Sequence, residues 1–173
     1  MPLEELAPKI ELLLTDVDGV LTDGGITFDA NGVETKTFSV RDGLGIRLWQ
    51  KSGKRLGVVT GRASRIVEQR CNELDIELLF QAVGEKLPVV EQIAEDAGLS
   101  LEQIAFIGDD LPDLPAIRAV GLGVAVADAA QEVRDGADYV TATPGGRGAL
   151  RELVELLLKS SGAWSELTGA LHG

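Results

Sequence analysis

Apolar and polar positions along this chain alternate between two periods. Short, nearly unbroken apolar runs recur at residues 10–15, 55–60, 76–80, 104–108 and 122–126, and they read as strands buried on both faces. Between them, at 43–51, 63–74, 86–97, 114–120 and 129–135, apolar residues recur at helical spacing. Leu87, Val90, Ile93, Ala94 and Ala97 make the clearest such stripe. A sixth short strand at 139–141 precedes a last helix from about 147 to 159. Ser100 with Gln103 has the form of a capping box, but the next apolar run begins so soon that a single turn is expected. Alternation of this kind predicts an α/β fold, a doubly wound Rossmann-like parallel sheet with helices on both faces.

One segment breaks the alternation. Residues 26–38 alternate with period two around Asn31-Gly32, a strong hairpin signal. An isolated two-stranded hairpin is only marginally stable in water, so this insert, spanning about 25–39, must pack on something. Its place directly after the first strand sets it over or beside whatever that strand presents. There is no internal repeat, low-complexity tract or linker, and residues 1–173 read as a single domain. The tail from about 160 to 173 is small and polar, with Trp164 and Leu167.

In a doubly wound sheet, ligands gather outside the carboxyl ends of the strands. Polar residues collect at that edge here. Asp16 and Asp18 follow the first strand, Thr60, Gly61 and Arg62 the second, Lys86 the third, and Asp109 and Asp110 the fourth. Asp16 and Asp18 fall on one face if the strand direction persists, and two such carboxylates need a cation between them or a proton on one. Oxygen ligands without Cys or His nearby point to Mg²⁺. Together these groups supply the parts of phosphoryl transfer. Asp16 serves as nucleophile and metal ligand, and Asp18 as the acid that protonates the leaving alkoxide and later the base for water. Thr60 and the Gly61 amide are donors to the phosphoryl oxygens, Lys86 is a fixed positive charge, and Asp109 completes the metal shell with Asp110 and Asp113 behind it.

Composition narrows the classes. A net charge of −12 with 45% hydrophobic and 25% charged residues describes a globular chain without the basic stripe that nucleic acid or an anionic membrane requires. Cys71 is the only cysteine, so no intramolecular disulfide or cysteine zinc cluster forms; its helical surroundings predict a buried core residue. The first residues carry no signal-peptide pattern and no run is long enough to span a membrane, so a cytoplasmic protein is expected. The one histidine, His172, is next to last, which argues against histidine chemistry unless the tail folds back onto a site.

The succession DVDGVLTDG, SVRDGLGIR, VTGR, Lys86, GDDLPDLP, VAVADA, ADYVT and GGRGALRE resembles the haloacid dehalogenase superfamily of phosphatases, and more narrowly the 3-deoxy-D-manno-octulosonate 8-phosphate phosphatases, over nearly the whole chain. The resemblance implies a domain without a cap, Mg²⁺ held by the Asp16 carboxylate, the Asp18 carbonyl and Asp109, and an aspartyl-phosphate on Asp16. It implies a substrate surface of Asp18, Ser39, Val40, Arg41, Asp42, Gly43, Arg47, Thr60, Gly61, Arg62, Arg70 and Lys86. It also implies a homotetramer whose subunits pair their hairpins so that a neighbour closes each site, and a place in lipopolysaccharide precursor synthesis. Such arginines would give an acidic protein a cationic pocket for a sugar acid phosphate. One departure is Ala82, where the family more often has Gly.

Other readings fit less well. A receiver domain also uses an acidic pair, Thr and Lys, but phosphorylates an Asp after its middle strand. A calcium loop beginning at Asp16 has Val20 and Thr27 at ligand positions, and GLGIRL lacks the third glycine of a dinucleotide fingerprint. A nonulosonate 9-phosphate phosphatase shares all four motifs and stays open at this stage.

Overall fold

The centre of the fold is β1 (Leu12–Thr15), four consecutive residues that are all fully buried. In the computed structural model, which describes residues 3–169, β1 pairs in parallel with β4 (Arg55–Val59) on one side and β6 (Ile104–Gly108) on the other. Beyond them lie β5 (Leu78–Phe80), β7 (Leu122–Ala125) and β8 (Tyr139–Val140), giving the all-parallel order β5-β4-β1-β6-β7-β8. The chain travels outward from β1 in one direction, then crosses back to fill the other side. That reversal puts the switch point, where ligands bind in such sheets, at the carboxyl end of β1.

Right-handed crossovers put α2 (Val40–Lys51) and α3 (Arg65–Glu73) on one face, and α4 (Lys86–Ala97), α5 (Leu114–Ala119) and α6 (Gln131–Gly136) on the other. The last long helix, α7 (Ala149–Ser160), packs along α2. Its Leu150, Leu153, Val154, Leu157 and Leu158 recur at helical spacing and are all buried, the stripe expected of a helix lying on a core. Gly45 lets the two helices approach closely, since a Cβ there would sit 3.2 Å from the Arg151 Cα. A short α1 (Leu3–Leu6) precedes the sheet, and α8 (Trp164–Gly169) ends the described chain, with Trp164 under the cations of Arg151 and Lys159. The question of whether His172 reaches a site lies outside the described residues.

Helix starts follow their caps. Ser39 accepts from the Arg41 amide, so α2 begins before residue 43, and Ser64 accepts from the Ile66 amide, so α3 begins after 63. The capping box of Ser100 and Gln103 is present and closes only a single turn, Leu101–Gln103. Cys71 is buried in the core, which pushes its thiol up to about 11.

The hairpin is shorter than its alternation predicts. Only β2 (Thr27–Phe28) and β3 (Glu34–Thr35) pair, antiparallel. Asp29 takes over the turn, its carboxylate accepting from the amides of Asn31 and Val33, so the loop is wider than a two-residue Asn-Gly turn. Ile26, Phe28 and Val33 stay exposed.

Candidate active site

Thr15 ends β1, and the Asp16 amide still reaches across to the Ile107 carbonyl at 3.1 Å. The chain then leaves the sheet in a tight turn in which the amides of Val20, Leu21 and Thr22 all point at the Val17 carbonyl. The turn ends the strand period, so Asp16 and Asp18 do not face each other as alternation predicts. The Asp16 carboxylate turns toward the end of β6, while Asp18 Oδ1 accepts from Lys36 of the hairpin. Asp16 Oδ1 accepts from the Val17 amide at 2.7 Å, and Oδ2 lies 3.0 Å from Lys86 Nζ.

Lys86 starts α4, and its buried side chain lies between Asp16 and Asp113, with 2.5 Å to Asp113 Oδ1. Burial works against its charge, but the two carboxylates outweigh that and raise its pKa. Asp113 uses its other oxygen to accept from the amides of Asp109 and Asp110, at 2.9 and 3.2 Å. It therefore shapes the GDD turn and anchors the lysine, and both its oxygens are spoken for. Asp110 caps the turn by accepting from the Leu111 amide.

Asp109 is the group left wanting. Ligand oxygens of Asp16, Asp109 and Asp113 all fall within 4.8 Å of one another, and among the described residues nothing donates to the Asp109 carboxylate. Burial, then the charges of Asp113, Asp16 and Asp110, push its pKa up to about 8. Burial, opposed by Lys86, raises Asp16 to about 6. Crowded hard oxygens that resist ionisation suit a divalent cation such as Mg²⁺, with Asp16 and Asp109 facing the cleft and Asp113 behind them.

The cleft over these groups measures about 350 Å³ and also receives Thr60, Gly61, Arg62 and Gly84. Thr60 is held by its amide to the Phe80 carbonyl and by its carbonyl to the Val83 amide. Arg62 lies 2.8 Å from Glu34 of the hairpin. The wall behind Asp109 is Gly19, which is backed by the GGRG segment: the Gly146 amide donates to the Val20 carbonyl at 2.9 Å. Glu152 fastens that segment, accepting from Tyr139 Oη and from the amides of Ala142 and Thr143. Against the opposing effect of burial, the donated hydrogen bonds hold Glu152 below its ordinary pKa.

The rest of the expected substrate surface lies elsewhere in the single chain. Ser39 is a helix cap and Val40 is exposed. Asp42 is buried between α2 and α7, with Oδ1 accepting from the Arg151 amide at 2.8 Å. Arg47 is held by Asp75 and the Glu73 carbonyl, and Arg70 pairs with Glu73 and lies over the Phe38 ring beside Gly43. Arg41 lines a separate groove with Arg147 and Arg151. None of these lines the cleft over Asp16. Sequence reasoning missed Glu34 and Lys36, whose only signal was their place on one alternating face of the hairpin.

The haloacid dehalogenase-like hydrolase family matches residues 79–153. The 3-deoxy-D-manno-octulosonate 8-phosphate phosphatase of Escherichia coli K12 is 46% identical over 163 residues, covering 94% of this chain and 87% of that protein. The corresponding Haemophilus influenzae protein is 42% identical, covering 92% and 89%. The crystal structure of the Moraxella catarrhalis phosphatase in complex with magnesium, phosphate and KDO superimposes with a TM-score of 0.96 at 39% identity, covering 98% and 97%. The cobalt-bound Haemophilus influenzae structure gives 0.89 at 42%, covering 92% and 94%. Identity of this level across nearly the whole length, on the same capless parallel sheet, makes this chain a member of the 3-deoxy-D-manno-octulosonate 8-phosphate phosphatase family of haloacid dehalogenase-like hydrolases.

Proposed function

We propose that this protein is a Mg²⁺-dependent phosphoric monoester hydrolase that converts 3-deoxy-D-manno-octulosonate 8-phosphate to the free sugar acid and phosphate. The observation that carries it is the Asp16 carboxylate, 3.0 Å from Lys86 and facing Asp109 across the switch point, in a family of that activity.

Asp16 attacks phosphorus, and the bridging ester bond breaks as a phosphoryl–aspartate forms. Asp18 gives its proton to the departing sugar alkoxide, then takes one from the water that hydrolyses the acyl phosphate and regenerates Asp16. Thr60 and the Gly61 amide hold the phosphoryl oxygens, and Lys86 balances their charge from a position Asp113 fixes. Asp16, the Asp18 carbonyl and Asp109 would hold Mg²⁺, which would neutralise charge on the phosphoryl group. Arg62 binds the sugar end from the rim.

Residues 1–173 act as one domain in the cytoplasm, and four copies assemble through their hairpins. Ile26, Phe28, Val33 and Val40 are exposed apolar residues on or beside the hairpin, and such a patch favours a protein partner. In that assembly the surface from Ser39 to Gly43, Arg47 and Arg70 would serve a neighbouring cleft. A phosphatase panel of octulosonate 8-phosphate, nonulosonate 9-phosphate and hexose phosphates, with and without Mg²⁺, tests the substrate. Preference for the nonulosonate phosphate would overturn the assignment. Light scattering across dilution tests the assembly, which an active 18.3 kDa monomer would refute.

A further inference from the structure

Four polar side chains, two basic and two acidic, run in an unbroken line from the rim of the cleft to its acid–base residue. Arg62 Nη2 lies 2.8 Å from Glu34 Oε1, the same oxygen lies 3.5 Å from Lys36 Nζ, and Lys36 donates to Asp18 Oδ1. The two middle members come from the hairpin rather than from the strand ends. The Lys36 side chain is only 1% exposed, a burial that a lysine without a task at this place would avoid. The outer end of the line is imperfect. Arg62 Nη1 is buried without an acceptor, and Glu34 Oε1 stands near Arg62 without an aligned hydrogen bond. A guanidinium fork is best satisfied by a bidentate carboxylate or phosphate, whereas a partly exposed ion pair holds it weakly.

We propose that Glu34 and Lys36 couple occupancy of Arg62 by the carboxylate of the sugar acid to release of Asp18. The proposal rests on the function read above and adds how that site tells a sugar acid from a neutral sugar. When a substrate carboxylate takes the Arg62 fork, Glu34 loses its contact there and closes on Lys36, already 3.5 Å away. Lys36 is drawn off Asp18, whose carboxyl is then free to face the leaving oxygen. A neutral sugar phosphate leaves Glu34 on Arg62 and Lys36 on Asp18. Only side-chain contacts are exchanged, the proton that Asp18 gives the leaving oxygen staying on its carboxyl throughout, and discrimination falls on turnover as well as on binding.

The test uses Glu34→Gln and Lys36→Met in the full-length Mg²⁺-loaded protein. Kinetics on octulosonate 8-phosphate and glucose 6-phosphate are measured beside calorimetric titration of the free sugar acid. Glu34→Gln removes the competitor for Arg62 and should bind the sugar acid about two- to fivefold tighter, the worth of a partly exposed pair. Its kcat on the octulosonate phosphate should fall by about tenfold, a fraction of what a positioned acid–base group supplies. Lys36→Met should raise kcat on glucose 6-phosphate and narrow the gap between substrates, and Lys36→Arg should restore the gap. Weaker binding of the sugar acid by Glu34→Gln, or equal losses on both substrates in Lys36→Met, would overturn the coupling while the wild type stayed active on the octulosonate phosphate. A wild type inactive on that substrate would sink the functional reading, and the coupling with it.

Discussion

A methyl group on Gly19 would stand 1.9 Å from Asp109 Oδ2 and 2.4 Å from its Cγ. The turn after the first strand and the carboxylate after β6 are thus shaped against each other, and a φ of +94° makes a side chain at Gly19 strained in any case. Gly19→Ala should displace Asp109 and lower kcat/KM by about a hundredfold, the scale of an ångström's misplacement. Calorimetry should show weaker Mg²⁺ binding by the same variant. Unchanged metal affinity would mean that the Asp109 carboxylate can move aside freely.

Asp16→Asn should remove activity by roughly 10⁴-fold or more, because an amide is a poor nucleophile and brings no charge to the metal. Asp18→Asn should lose about 10²–10⁴-fold on a sugar phosphate, the usual range for general acid–base catalysis. On p-nitrophenyl phosphate, whose leaving group needs no proton, the release step should be spared, and a burst of nitrophenol should precede slow turnover. A burst with Asp16→Asn, or equal steady loss without a burst for Asp18→Asn, would reassign the roles.

Mg²⁺ binding should release protons near neutral pH. Without an ion, burial and the neighbouring carboxylates hold Asp109 protonated up to about 8 and Asp16 to about 6. The metal takes the ionised carboxylates, so affinity rises with pH, by up to about tenfold per unit and per proton displaced, and levels off above about 8. Titration calorimetry in buffers of different ionisation enthalpy at pH 6.5, 7.5 and 8.5 measures this directly. An affinity flat across that range would contradict the picture of the site.

Strand ends were the legible part of this chain. Continuous apolar runs marked β1, β4, β6 and β7, and parallel topology then obliged Asp16, Thr60, Lys86 and Asp109 to meet at one edge. The hairpin was legible only as an element. Its two-residue strands carry no packing that fixes where the side chains go, so Lys36 on Asp18 and Glu34 on Arg62 could not be read from alternation. Arg47 and Arg70 lie away from the cleft of their own chain for a related reason. Arg70 pairs with Glu73 one turn on, and Arg47 with Asp75, which the fold brings to it from beyond α3; helical spacing does not distinguish such pairs from ligand contacts. Asp42, expected on the substrate surface, is in the single chain a buried tie between helices.

That tie should depend on pH. Burial raises Asp42 to about 6 from 3.8, and among the described residues its Oδ2 has no hydrogen-bond partner. The folded chain therefore binds the proton more tightly than the unfolded one. The stability from this group is full below about 3.8 and is lost as pH rises through about 6, by up to about 3 kcal/mol. Asp42→Asn keeps an acceptor for the Arg151 amide and cannot ionise. Urea unfolding should find it at least as stable as the wild type at pH 8, with the advantage gone near pH 4. Marked destabilisation at pH 8 would show that the carboxylate charge is needed at the start of α7.

Ala82 adopts a φ of +54°, the left-handed region that L side chains enter at about 1 kcal/mol or more. The alanine is therefore a local strain in the loop leading to Lys86. Ala82→Gly should raise stability by about 0.5–1 kcal/mol, once the entropy of an added glycine is set against the relief. A lower melting temperature would mean that the alanine methyl makes a contact worth more than the strain.

The position of β1 between β4 and β6 has a consequence for how the protein comes into being. Asp16, the proposed nucleophile, lies early in the chain, but its opposite carboxylate is 93 residues later (109 minus 16), after a strand that joins only once the chain has reversed across the sheet. Half a chain emerging from synthesis carries Asp16, Asp18, Thr60 and Lys86 but neither Asp109 nor Asp113, the carboxylates that face Asp16 and hold Lys86. Hydrolysis thus begins only when the second half of the sheet has docked, and the appearance of activity during refolding is a direct clock for the longest-range strand pairing in the fold.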